Sequence, residues 1–209
     1  MCNLYRLHAG TAAIAQLFDA IAGPVGNLAD DVYPGYPGLV VADGTVRTMT
    51  WGFPLLRKGR QGQPLKPKPV TNAREDKLDG AFWQASFAAR RCLIPVSAWA
   101  EPEGNTGQMT RTWYGLPGDA PFAVAGLWRS TDVWGDVYAM VMVNAAAPMA
   151  DVHDRMPVIL RAADRAAWLH ADRDTAFGLC RTWDGDLVID RTRDRWASGG
   201  ETAQARLFD

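Results

Sequence analysis

Arg91-Cys92-Leu93-Ile94-Pro95-Val96-Ser97-Ala98-Trp99-Ala100-Glu101-Pro102 is the stretch whose reading decides the fold. From Cys92 to Trp99 it is almost wholly apolar, bounded by Arg91 before it and by a glutamate and a proline after it. A run of that length and composition reads as a buried β-strand. Shorter runs of the same kind lie on either side: Leu39–Ala42, Val46–Trp51, Arg111–Gly115, Phe122–Trp128 and Val137–Asn144, then Pro157–Leu160 and Leu187–Asp190. Many short strands separated by Gly/Pro turns predict a mainly antiparallel sheet or barrel.

Three segments have helical patterning. Ile14, Leu17, Phe18 and Ile21 recur at helical spacing after a Thr11 cap, and Gly23-Pro24 ends the run. Asp76–Arg90 and Ala162–Asp172 have helical composition, the first with Leu78, Phe82, Trp83, Ser86 and Phe87 on one side. Residues 31–38, rich in Pro, Gly and Tyr, read as a loop. The fold class is α+β: one domain over residues 1–190 with a mainly antiparallel β-sheet or barrel core and flanking helices. The polar residues 191–209 read as a mobile tail.

With 209 residues, 48% of them apolar, the chain can bury one sizeable core, and its net charge of −1 gives no global attraction to nucleic acid. Cys2, Cys92 and Cys180 have neither metal-ligand spacing nor an even count, which predicts a reducing, cytoplasmic setting without disulfides, metal or other cofactor. No apolar run reaches membrane-span length, and the first 25 residues lack the pattern of a signal peptide.

Met1-Cys2-Asn3 places a small side chain after the initiator methionine, the circumstance in which Met1 is normally trimmed. The mature chain would then carry an α-amine and a thiol on one residue. Such a 1,2-aminothiol condenses with an aldehyde to an imine, which the thiol closes into a thiazolidine. An unperturbed α-amine titrates near ~8 and a thiol near ~8.5, so both reactive forms exist at neutral pH. Three further segments are polar where their surroundings are apolar: Thr71-Asn72-Ala73-Arg74, Glu101 at the end of the opening run, and His153-Asp154-Arg155 ahead of Met156–Leu160. Taken singly, Asn72 reads as a turn residue, Glu101 as a solvated loop carboxylate and His153 as a structural hydrogen-bonder.

In that order, Cys2, Asn72-Ala73-Arg74, Arg91–Pro95 with Glu101, and His153–Leu160 resemble the SRAP proteins (SOS response-associated peptidase, the YedK/HMCES family) over roughly residues 1–190. The resemblance implies that Cys2 traps the ring-opened aldehyde of abasic sites in single-stranded DNA as a thiazolidine crosslink. It implies that Glu101 shuttles protons between the amine and the sugar O4′, that Asn72 holds the amine in register, and that His153 handles proton transfer at the opened sugar. A cytoplasmic, nucleoid-associated monomer is the corresponding expectation. Four positions depart from the family pattern: Cys2-Asn3-Leu4 replaces Cys-Gly-Arg, with an arginine only at Arg6; Tyr33–Gly38 replaces an Asn-(Val/Ala)-Ala-Pro segment; Ala100-Glu101-Pro102 replaces aromatic-Glu-Trp; and Asn144–Ala147 lacks the usual threonine.

Between Gly44 and Arg74 there is no acidic residue, while Arg57, Lys58, Arg60, Lys66, Lys68 and Arg74 supply positive charge. The segment reads as a basic loop leading to Asn72 and suited to tracking phosphates. Trp51, Trp99 and Trp128 lie in apolar runs and read as core. At the C-terminus, Gln204, Leu207 and Phe208 have the spacing of the peptide by which bacterial repair proteins dock on the DNA sliding clamp. Two other functions compete with DNA crosslinking: a cysteine-nucleophile peptidase or N-terminal-nucleophile hydrolase, at least removing its own Met1, and a non-catalytic single-strand- or clamp-binding module.

Overall fold

A computed structural model describes residues 2–196. In chain order the strands are β1 (Tyr5–Arg6), β2 (Ile21–Ala22), β3 (Asp31–Val32), β4 (Pro37–Ala42), β5 (Thr45–Trp51), β6 (Phe53–Lys58), β7 (Pro64–Val70), β8 (Asn72–Arg74), β9 (Arg91–Val96), β10 (Ala98–Glu103), β11 (Thr110–Gly115), β12 (Phe122–Thr131), β13 (Gly135–Asn144), β14 (Arg155–Pro157), β15 (Ile159–Leu160) and β16 (Val188–Arg195). The helices are α1 (Thr11–Leu17), α2 (Gln84–Ala89), α3 (Arg165–His170) and α4 (Arg173–Gly178).

The larger sheet runs β14-β13-β12-β9-β4-β5-β2, and β5 also pairs in parallel with β13 through Val137↔Thr50 and Tyr138↔Trp51. Strands β13, β12, β9, β4 and β5 thereby close on themselves into a barrel. This is the mainly antiparallel α+β domain that the sequence predicts. Every residue of β9 is buried because β12 and β4 flank it, which is why its sequence is continuous rather than alternating. Pro95 is tolerated in this central strand because pairing to β4 is confined to Leu93↔Val41, short of the proline. Gly126 lets β12 approach β9: a Cβ there would meet Cys92 Sγ at 2.7 Å and Ile94 Cδ1 at 2.8 Å. The β4–β5 turn is Asp43-Gly44, both with positive φ, the two-residue form that matches the twist of a hairpin. Arg91 staples helices to the barrel by donating to the carbonyls of Trp168 (2.5 Å), Phe87 (2.8 Å) and Ala171.

A second antiparallel sheet, β16-β11-β10-β1-β3, lies against the barrel. Here the opening stretch departs from a single strand. It breaks at Ser97, whose N–H donates to Arg6 O at 2.8 Å and whose hydroxyl accepts from His8 N at 3.0 Å. The break sends Arg91–Val96 into the barrel and Ala98–Glu103 into the second sheet.

Other expectations are corrected. Helix α1 ends at Leu17, and Asp19 in the left-handed region turns the chain so that Ile21, in β2, pairs with Thr45 of β5 and is 72% exposed rather than on a helix face. Gly10, not Thr11, occupies the cap position of α1. Asp76–Arg90 is helical only from Gln84 to Ala89, after a 3-10 turn at Glu75–Lys77 and a turn around Gly80. The expected loop at residues 31–38 supplies β3 and the start of β4. Residues Arg191–Arg195, expected in the tail, form the end of β16 against β11. The clamp-like residues Gln204, Leu207 and Phe208 lie outside the described residues. Among the described residues no helix is long and apolar enough to cross a membrane, and no cluster of His, Cys, Asp and Glu could hold a metal ion.

Candidate active site at the amino-terminal cysteine

Cys2 is fully buried, three residues ahead of Tyr5 in β1. The ladder between β1 and β10 carries its carboxylate neighbour to it: Tyr5 pairs with Trp99, and Ala100 N donates to Leu4 O at 2.9 Å. Glu101 follows directly and is also fully buried. Burial pushes the Cys2 thiol well up, and the Glu101 charge adds to that rise. The thiol reaches Leu4 O at 3.5 Å.

Asn72 enters from the barrel. Its strand, β8, pairs in parallel with β13 through Met140↔Asn72. The buried Asn72 Nδ2 donates to Cys2 O at 2.8 Å and to Thr71 Oγ1 at 2.9 Å, while Asn72 Oδ1 has no hydrogen-bond partner among the described residues.

His153 arrives on the turn before β14, which pairs with the end of β13 through Asn144↔Arg155. An ion pair between Arg155 and Glu75, 3.2 Å and largely shielded, ties that turn to the residue after β8. His153 Nδ1 lies 2.9 Å from Arg155 N and 3.2 Å from Arg155 O, so the backbone of Arg155 holds the ring on that side. Burial lowers the His153 pKa, so the neutral ring is favoured. Burial raises Glu101 to about 7, with a further rise from Asp154 beside His153. Asn72 is bonded to Cys2 and the Leu4–Ala100 bond sets Glu101 alongside, so residues 2, 72 and 101 meet, while the Arg155–Glu75 pair draws the His153 turn toward the end of β8. A carboxyl with a pKa near neutrality is suited to move protons at physiological pH.

The positive residues are distributed differently. Arg57, Lys58, Arg60, Lys66 and Lys68 are all exposed on a two-stranded ribbon, β6–β7, rather than on a loop. Among the described residues the two strands of the ribbon pair only with each other, and Pro64, Pro67 and Pro69 suit β7 to an edge. Leu55, Leu56 and Leu65 are exposed on the same ribbon, which runs through Thr71 into Asn72. Arg74 instead holds Asp76 with two hydrogen bonds of 2.9 Å. Arg6, the arginine nearest the missing family position, is bound to Asp31 at 2.6 Å and stacked over Trp113. Trp51 and Trp99 are core as expected; Trp128 is half-buried, with Arg47 over its ring. The sequence reading missed the Glu75–Arg155 tie and the buried hydroxyl pair of Tyr5 and Tyr138, 2.5 Å apart behind Cys2, because each is formed by residues far apart in the chain.

Comparison with known proteins places this geometry. Two curated proteins, each named abasic site processing protein YoqW, from Bacillus subtilis and from Bacillus phage SPbeta, are 28% identical to the chain over 128 residues. The match covers 56% of this chain and 56% of each relative, so the chain spans about half the length of the curated relatives it matches. A crystal structure of a Bordetella bronchiseptica protein superposes with a TM-score of 0.77 at 24% identity, over 91% of this chain and 99% of the other. One from Bacteroides thetaiotaomicron gives 0.74 at 14% identity, over 90% and 91%. These two show a shared fold. The SOS response associated peptidase (SRAP) family matches residues 1–190, which include Cys2, Asn72, Glu101 and His153, and the chain belongs to that family.

Proposed function

We propose that the protein processes abasic sites in single-stranded DNA by trapping the ring-opened aldehyde on Cys2 after removal of Met1. The observation that carries this reading is the enclosure of Cys2 beside Glu101, whose carboxyl is poised near neutrality, with Asn72 fastened to the Cys2 carbonyl. The free α-amine of Cys2 attacks the aldehyde carbon to give a carbinolamine. Glu101 takes a proton from the amine and returns one to the departing oxygen, so that water leaves and an imine forms. The thiol then adds across the C=N bond, its proton passing to nitrogen, and the thiazolidine closes. Net, aldehyde and aminothiol give thiazolidine and one water. Holding both groups on one fixed residue supplies the effective concentration. His153, its neutral form favoured by burial, serves proton transfer at the opened sugar.

Arg57, Lys58, Arg60, Lys66 and Lys68 on the exposed ribbon attract the phosphates, and Leu55, Leu56 and Leu65 offer apolar surface to unpaired bases. Arg74 joins them only by giving up Asp76. A thiol whose pKa is raised by burial is a poor resting thiolate, which favours the aldehyde trap over a cysteine peptidase. The test is denaturing electrophoresis after incubation with a single-stranded abasic oligonucleotide. An SDS-resistant adduct is expected from the wild type and none from Cys2→Ala; an equal adduct in both would overturn the reading, and Cys2-dependent peptide turnover without adduct would favour the peptidase.

A further inference from the structure

We propose that Thr71 and Asn3 are positioning residues that fix the orientation of the Asn72 amide, and through it the amino-terminal cysteine. The inference rests on the aldehyde-trap reading of the site and names residues to which that reading gives no role. A primary amide can be flipped by half a turn at almost no steric cost, exchanging two donors for an acceptor. At Asn72 the choice is decided by neighbours. Nδ2 faces two acceptors, Cys2 O at 2.8 Å and Thr71 Oγ1 at 2.9 Å. Thr71 Oγ1 can play acceptor only if its own proton points elsewhere, and the structure supplies a destination: Asn3 Oδ1, 3.4 Å away. The direction of donation is therefore Thr71 to Asn3 and Asn72 to Thr71, with Asn72's second proton on the Cys2 carbonyl.

The relay stands on a fixed base. Thr71 is buried, and its carbonyl accepts both Trp51 Nε1 at 3.2 Å and Met140 N at 2.9 Å. With the amide so oriented, Asn72 Oδ1 is the atom left buried without a partner among the described residues. A flipped amide would set oxygen against the Cys2 carbonyl, losing the tether, and would turn donors toward the place where Oδ1 now offers an acceptor. An acceptor there suits a protonated α-amine on Cys2; a donor would instead occupy the lone pair with which the neutral amine attacks. Asn3 and Thr71 thus convert a two-way amide into a one-way clamp on the reacting residue. The Asn3 side chain, one of the departures from the family's Cys-Gly start, acquires a purpose in this arrangement.

The experiment is single-turnover crosslinking of the full chain at saturating abasic oligonucleotide, with oligonucleotide affinity measured separately and proton exchange of the Asn72 side-chain amide followed by NMR. Thr71→Val is expected to slow crosslinking by about five- to tenfold, the worth of one ordinary hydrogen bond, with affinity unchanged and the Asn72 amide protons exchanging faster. Thr71→Ser should restore both, and Asn3→Ala, at an exposed position, should show the same effects more weakly. Wild-type crosslinking and amide exchange in Thr71→Val, or a Thr71→Ser variant as slow as Thr71→Val, would overturn the proposal. Should Thr71→Val fail to fold, Asn3→Ala with unchanged amide exchange overturns it equally. Absence of any wild-type adduct would instead sink the aldehyde-trap reading, and the exchange measurement would still decide the clamp.

Discussion

Replacing Glu101 by glutamine removes a buried charge while keeping the side chain's size, and the structure fixes the sign of the result. The carboxyl stands at about 7 in the folded chain against an ordinary 4.5, because burial penalises its ionised form. Between those two values the folded state binds more protons at this site than the unfolded state does. Stability contributed by Glu101 is therefore fully present below about pH 4.5 and is lost as pH rises toward and through 7. A shift of that size corresponds to about 3 kcal/mol at the alkaline end. Urea unfolding of wild type and Glu101→Gln, followed by tryptophan fluorescence from pH 4 to 8.5, measures it. The Cys2 thiol and His153 titrate in both proteins; the Glu101 charge is the lesser cause of the raised Cys2 thiol, and burial, the larger cause, remains in Glu101→Gln. Glu101→Gln should match the wild type near pH 4 and exceed it by about 3 kcal/mol at pH 8.5. The same variant should crosslink at least about a hundredfold more slowly, the size expected for loss of a general acid/base. A stability difference that does not change with pH, or that grows toward acid, would refute the reasoning.

Other perturbations have equally definite outcomes. Neutralising Lys58, Arg60 and Lys66 together should weaken single-strand binding and flatten its salt dependence by about 0.7 in log–log slope per lost phosphate contact, leaving thermal stability unchanged; an unaltered slope would take the ribbon out of the interface. Gly126→Ala should cost about 1–3 kcal/mol in urea unfolding, because the added methyl meets Cys92 Sγ and Ile94. If the tail docks on the sliding clamp, Leu207→Ala with Phe208→Ala abolishes clamp pull-down and leaves crosslinking untouched.

The barrel was legible in the sequence because its strands are short apolar runs with strong punctuation, as at Phe122–Thr131 and Gly135–Asn144. The break at Ser97 was not, since nothing local distinguishes a strand that changes sheets from one that continues; His8 and Arg6, far away in the chain, decide it. The ribbon at Phe53–Val70 was hidden for the opposite reason. Its prolines and glycines signal a loop, and only an isolated two-stranded edge can accommodate them. At the site, Cys2 was visible as the residue after the initiator methionine, and Asn72, Glu101 and His153 as polar residues in apolar surroundings; their ordered occurrence carried the resemblance. Their mutual geometry was not visible, nor was Thr71's part in it, because hydrogen-bond direction is a property of the folded neighbourhood.

The most direct test of the central claim is intact-mass analysis of the purified protein before and after incubation with a single-stranded abasic oligonucleotide. A chain beginning at Cys2 that gains the mass of the oligonucleotide less one water is the predicted result. A chain that has lost Met1 and gains nothing, or that gains the same mass when Cys2 is alanine, would contradict it.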